Sequence, residues 1–279
     1  MTTRKPPKFA DVPVDQLDPL SYAVSRRDRS IAETVATAVR HNNLALAYQP
    51  VIQAGTAGRV AFYEGLIRIF DETGRVVPAG DFINIVETSE TGRRIDCAAL
   101  DLGLKQLAEK PDLRLSINLS ARSIGYPRWM KTLHKGLARD PTVGERLILE
   151  ITESSAMLIP ELVVSFMAAM RRHNISFALD DFGAGYTSFR FLRDFLFDVL
   201  KIDGQFSQGV AQDPDNQVVT RALIAIAQQM DMLTIAEQVE NAEDASWLTD
   251  AGIDCLQGYH YAAPTIHPPW QVEAADTGT

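Results

Sequence analysis

Eight short runs of apolar and β-branched residues recur along the chain: LALAYQPVIQ (44–53), VAFYEGLIRI (60–69), RLSINLS (114–120), RLILEIT (146–152), SFALDD (176–181), DVLKID (198–203), LTIAEQV (233–239) and DCLQGY (254–259). Each has the length and composition of a strand. Most are followed by a stretch of helical spacing, such as FINIVETSETGRRIDCAALDLGLKQLAEK after the second and NQVVTRALIAIAQQMDM after the sixth. This alternation predicts an α/β fold, a single TIM-like (β/α)8 barrel. The first two runs break the rule, because the six residues between them are too few for a helical crossover. The first strand is therefore expected to run antiparallel to the second.

The ends of the chain lack this pattern. The first 25 residues hold four of the fourteen prolines, which predicts an arm over 1–25. A helix is expected from near Ser30, whose hydroxyl would cap IAETVATAVRHNN, with Ile31, Val35 and Val39 on one face. The barrel domain then spans 26–268, and the polar end PPWQVEAADTGT leaves 269–279 as a fraying tail.

Composition adds bounds. With 279 residues, 46% of them hydrophobic, the chain can bury the core of one large barrel. No apolar run approaches the roughly 20 residues of a membrane helix, and MTTRKPPKFADVPVDQLDP lacks a secretory apolar segment, so the cytoplasm is the expected compartment. Two cysteines, Cys97 and Cys255, cannot form a disulfide framework and read as packing residues. The net charge is −9, and the short basic cluster SRRDR (25–29) is interrupted by an acid, which argues against duplex nucleic acid as a partner.

The polar residues inside the eight runs are not scattered. Glu64, Asn118, Glu150, Asp180, Asp181, Lys201, Glu237 and Gln257 fall late in their runs, and a barrel brings the C-terminal ends of its strands to one mouth. So many carboxylates around one lysine repel one another unless divalent cations are present. Oxygen-only donors suit hard ions, so two Mg²⁺ or Mn²⁺ ions fit better than zinc, and the five histidines show no close metal-ligand pair. Asp180 would face the mouth while Asp181, where the strand gives way to a loop, could turn to the same place; a simple turn is the bland alternative for an isolated pair. Lys201 either serves the reaction or forms a salt bridge with Asp203, two residues on. Arg68 either meets a phosphate or pairs with a neighbouring acid, and Glu153 either holds the loop after Asp181 or lies on the surface.

Taken in order, YQP, EGLIR, SINLS, LEITES, LDDFGAGYTSF, LKIDGQF, IAEQVE and LQGY resemble the motifs of EAL-domain cyclic-di-GMP phosphodiesterases, over about residues 30 to 265. The resemblance implies hydrolysis of one phosphodiester of cyclic di-GMP to linear pGpG. It implies that Glu64, Asn118, Glu150 and Asp180 hold one metal ion, and that Asp180, Asp181 and Glu237 hold a second. Lys201 would act on the attacking water, with Asp181 and Glu237 also serving catalysis. Gln49, Leu66, Arg68 and Gln257 would contact substrate, Asp203, Glu240 and Gln257 would support the site, and Glu153 would hold the loop Phe182 to Ser188. Family members often form homodimers through the region that follows, here FRFLRDF, which reads equally well as core. Two departures stand out: Glu64-Gly65-Leu66 replaces Glu-Ala-Leu, and Gln238 replaces a glycine beside Glu237. They keep a second reading open, a catalytically weak cyclic-di-GMP receptor that signals through a partner or a dimer interface.

Overall fold

In the computed structural model of the chain, which describes residues 18–184 and 192–271, the eight runs become the eight staves of a closed barrel. The strands are β1 (Leu44–Gln53), β2 (Val60–Phe70), β4 (Leu115–Asn118), β5 (Leu147–Thr152), β6 (Ser176–Phe182), β7 (Val199–Ile202), β8 (Leu233–Ala236) and β9 (Cys255–Leu256). Their order is β1-β9-β8-β7-β6-β5-β4-β2, and a β1–β2 pairing closes the ring. As expected, β1 is antiparallel to β2, and it is also antiparallel to β9. The remaining neighbours are parallel. A short strand not anticipated from the sequence, β3 (Val76–Pro78), forms a hairpin with the end of β2.

The barrel is filled below its mouth. Phe62, Ala178, Val199, Ile235 and Cys255 are buried in one cluster inside it, with Ile148 packed against them. Each lies two residues before a polar mouth residue: Glu64, Asp180, Lys201, Glu237, Gln257 and Glu150 respectively. Side chains two apart share a strand face, so the plug and the mouth are successive layers of the same inward rows. On antiparallel β1 the order reverses, and Val51 of the plug comes two residues after Gln49. The second, larger core joins the outer strand faces to the helices, including Glu90–Glu109, Pro127–Arg139 and Pro160–Arg171. Both cysteines are buried and unbonded, Cys255 in the plug and Cys97 in the outer core.

Two boundaries differ from expectation. The first helix spans Pro19–His41, not Ser30 onward, because Asp18 caps it by accepting from Leu20 N at 3.0 Å and Ser21 N at 3.1 Å. It therefore runs through the residue 25/26 boundary. At the other end Trp270 is not part of a fraying tail: its ring meets Tyr63 edge-on at 4.7 Å and Tyr48 at 5.1 Å, and its indole N–H donates to Gln106. Of FRFLRDF, residues 189–191 lie outside the described part, while Leu192 and Phe195 are buried and belong to the core.

Candidate metal centre at the barrel mouth

Lys201 is the hub. Its side chain is 1% exposed, and its Nζ lies 2.8 Å from Glu150 Oε2, 2.8 Å from Glu237 Oε1, 2.9 Å from Asp180 Oδ1 and 3.4 Å from Glu64 Oε2. Four strands thus deliver four carboxylates to one ammonium. The alternative pairing of Lys201 with Asp203 is not made: Asp203 accepts from Gln205 N at 2.8 Å and caps the short helix Gly204–Ser207. Glu64 is fixed further by Asn118 Nδ2 at 2.9 Å and Gln257 Nε2 at 2.7 Å.

Adjacent acids reach one place because the strand breaks step between them and their neighbours. The β6–β7 register shifts between Leu179 and Phe182, and Asp181 takes φ 54°, in the left-handed region. Such a bulge re-aims a side chain, and aspartate tolerates this conformation better than most residues. Ligand oxygens of Asp180, Asp181 and Glu237 all lie within 4.8 Å of one another. Gln238, on the far side of Glu237, is also left-handed with φ 52°. Its side chain packs over Gly204, and Glu237 keeps its place on Lys201. Gly65 leaves no void: a Cβ built there would lie 2.7 Å from Ile117 Cδ1, which occupies that space.

One ammonium cannot balance this many carboxylates. Burial and the charge of Glu64 push Glu150 up to about 8, burial and Asp180 push Asp181 up to about 6, and burial drives Glu237 well above the carboxylate range. Glu64 goes the other way, because Lys201 and the bonds from Gln257 and Asn118 outweigh its burial. Burial would lower Lys201, but the charges of Asp180, Glu150, Glu237 and Glu64 hold it well above its ordinary value. Burial first, and the crowding of like charges second, raise these acids, and a divalent cation would relieve both by pairing with their charged forms. Glu150 Oε1 is buried with no hydrogen-bond partner among the described residues. All the donors are oxygens, so the set fits Mg²⁺ or Mn²⁺.

The other expected residues divide. Gln49 joins the cluster through Gln257, 3.3 Å away, and donates to Ala262 O. Gln257 spends its amide N–H groups on Glu64 and Gln49, which makes it a support for Glu64. Leu66 and Arg68 follow Glu64 on the same face of β2 and are half-buried, with Arg68 bonded to Ile67 O and not to an acid. Glu153 is buried and accepts from Gly183 N at 3.1 Å, at the start of the loop after β6; residues 185–188 of that loop lie outside the described part. Glu240 is exposed and accepts from Gln208, away from the hub. Sequence reasoning overlooked Asp96, buried beneath the Asn118 turn. Its signal was an acid inside the apolar stretch IDCAAL.

The fold and mouth define an α/β barrel whose strand ends assemble an acidic, oxygen-lined pocket around a buried lysine. Residues 32–264 match the EAL domain, and the chain belongs to the EAL-domain family. It is 31% identical over 242 residues to the signaling protein YkoW of Bacillus subtilis (strain 168), covering 85% of this chain and 30% of that protein. It is 30% identical over 237 residues to the cyclic di-GMP phosphodiesterase PdeB of Shewanella oneidensis, covering 84% and 28%. The chain thus spans less than a third of the length of either relative. Among solved structures, the PaMucR phosphodiesterase in complex with c-di-GMP superposes with a TM-score of 0.78 at 26% identity, covering 87% of this chain and 99% of that one.

Proposed function

We propose that this chain hydrolyses one phosphodiester bond of cyclic di-GMP, giving linear pGpG, with two divalent cations, Mg²⁺ or Mn²⁺. The observation that carries the reading is the convergence of Glu64, Glu150, Asp180 and Glu237 within 3.4 Å of Lys201 Nζ, in a barrel of this family. A receptor needs no such concentration of acids to stack and hydrogen-bond a dinucleotide.

Glu64, Asn118, Glu150 and Asp180 would hold one ion, and Asp180, Asp181 and Glu237 the other. When bound, paired cations supply Lewis acidity, acidifying water and neutralising charge on phosphoryl oxygens. The protein's own groups do the rest. Lys201 orients the attacking water and offsets part of the surrounding negative charge. Gln257 and Gln49 keep Glu64 in its ligand rotamer, and Arg68 and Leu66, at the rim, meet the dinucleotide. Glu153 pins the start of the loop after Asp181 through Gly183 N.

Purified protein with Mn²⁺ or Mg²⁺ should convert cyclic di-GMP to pGpG, read by chromatography, and Glu64→Ala should abolish the conversion. Tight binding of intact cyclic di-GMP without cleavage would replace this reading with the receptor.

A further inference from the structure

The helix Glu90–Glu109 turns an acid inward among apolar neighbours: Asp96 is buried between Ile95 and Cys97. Burying a carboxyl in such a face is costly unless hydrogen bonds repay it. Asp96 Oδ2 accepts from Ser123 Oγ at 2.5 Å and from Ser120 N at 3.3 Å. Both donors lie in the turn that follows Asn118 at the end of β4. We infer that Asp96 is a positioning residue for Asn118, clamping the 119–123 turn so that the Asn118 amide stays at the mouth; the inference rests on the reading of Asn118 as a metal ligand.

Other bonds hold the same turn from the opposite side. Leu119 N donates to Glu150 O at 2.8 Å, and Ala121 N donates to Ser155 Oγ at 2.8 Å. Asp96 comes from the outer helix layer, where Arg93 of the same helix also donates from Nε to Arg122 O at 3.3 Å. A cavity of about 110 Å³ opens here, lined among others by Asp96, Asn118, Ser120, Glu150 and Ser155. Leu119, Ala121 and Ser123 are buried, and where the cavity interrupts their packing the directional hydrogen bonds add to what holds the turn. Without Asp96 the hydroxyl of Ser123 and the amide of Ser120 lose their acceptor, and the turn can move into the cavity with Asn118 attached. Groups that orient a ligand from behind in this way are typically worth about 10- to 100-fold in metal affinity.

The test uses the full chain with Asp96→Ala and Asp96→Asn, titrated calorimetrically with MnCl₂, alongside amide hydrogen exchange over 119–123. Asp96→Ala should bind Mn²⁺ about 10-fold more weakly or worse and exchange faster in the turn. Asp96→Asn should restore both, since its amide oxygen accepts the same two bonds. A folded Asp96→Ala protein with wild-type Mn²⁺ affinity overturns the inference, and so does equal loss in both variants, which would point to charge and not position. If Asp96→Ala does not fold, Ser123→Ala removes the shorter bond from the other end and must weaken Mn²⁺ binding; no change overturns the inference. Mn²⁺ binding without hydrolysis in the unaltered protein defeats the phosphodiesterase reading alone. Hydrolysis by the unaltered protein together with unweakened Mn²⁺ binding in Asp96→Ala defeats the positioning role alone.

Discussion

Lys201 carries one positive charge and meets four carboxylates, so the chemistry of the mouth is decided by an imbalance at a single side chain. Its four partners were legible as polar residues late in apolar runs, because period-two alternation fixes which side chains share a face. That Lys201 bonds them and not Asp203, two residues away, was not legible: a strand-local pair competes with four long-range ones, and only closure of the barrel brings those within reach. Asp96 offers a pH test at the same level. Burial raises its carboxyl from 3.8 to about 7, against the hydrogen bonds from Ser123 and Ser120 and helped by the charge of Glu87. The folded state thus holds its proton more tightly than the unfolded chain. Its stabilising contribution is full below about pH 4 and is lost as pH rises through about 7. Asp96→Asn removes that dependence, so in metal-free urea titrations the variant should gain on the wild type between about pH 5 and about pH 8, by on the order of a few kcal/mol. A constant difference across that range would contradict the raised value. Gly65→Ala tests the altered signature. The nearest atom is the terminal methyl of Ile117, a side-chain end that can turn aside, with Leu46 Cδ1 and Ser116 O next at 3.3 Å, and the removal of a strand glycine offsets part of the contact, so stability should fall by no more than about 1–3 kcal/mol and hydrolysis should stay within a few-fold.

The strands were easier to read than their ends. All eight runs formed barrel strands, and six intervening residues were enough to show that β1 must turn back on itself. The left-handed conformation at Asp181 escaped prediction, since it is not glycine and dihedral angles at strand ends are set by what the next loop must meet, whereas at Gln238 the glycine it replaces pointed to one. After β6 that partner is Phe206. Gly183 has φ 96°, and a Cβ there would collide with the Phe206 ring. Its N–H is the group held by Glu153, and its carbonyl accepts from Gln205 at 3.1 Å. Gly183→Ala should therefore shift this loop start and, two residues away, Asp181. We expect hydrolysis to fall by about 10- to 100-fold in a protein whose circular dichroism is unchanged. Wild-type turnover would show that the loop start does not control Asp181.

Cation binding should be felt by the entire barrel, because the proposed ligands come from β2, β4, β5, β6 and the end of β8, and no partly unfolded chain can present them together. At a Mn²⁺ concentration about 100 times its Kd, folding should gain about 2.7 kcal/mol, and the melting temperature should rise by roughly 5–10 °C. Chelation should reverse the rise and Glu64→Ala should remove most of it; an unchanged melting temperature in calorimetry would argue against a shared ion. The docking of Trp270 on Tyr48 and Tyr63 carries the fold beyond its expected end at 268, something no periodicity announces, since a lone tryptophan in a polar stretch has no pattern to join. The sequence by itself determined the strands, their inward rows and the antiparallel start, because alternation and loop length are local properties of a chain. The tertiary structure alone decided which carboxylates share one lysine, how Asp180 and Asp181 reach the same point, and what braces Asn118 from behind. Those depend on register around a closed ring and on contacts between residues as far apart as Glu64 and Gln257, which no local pattern encodes.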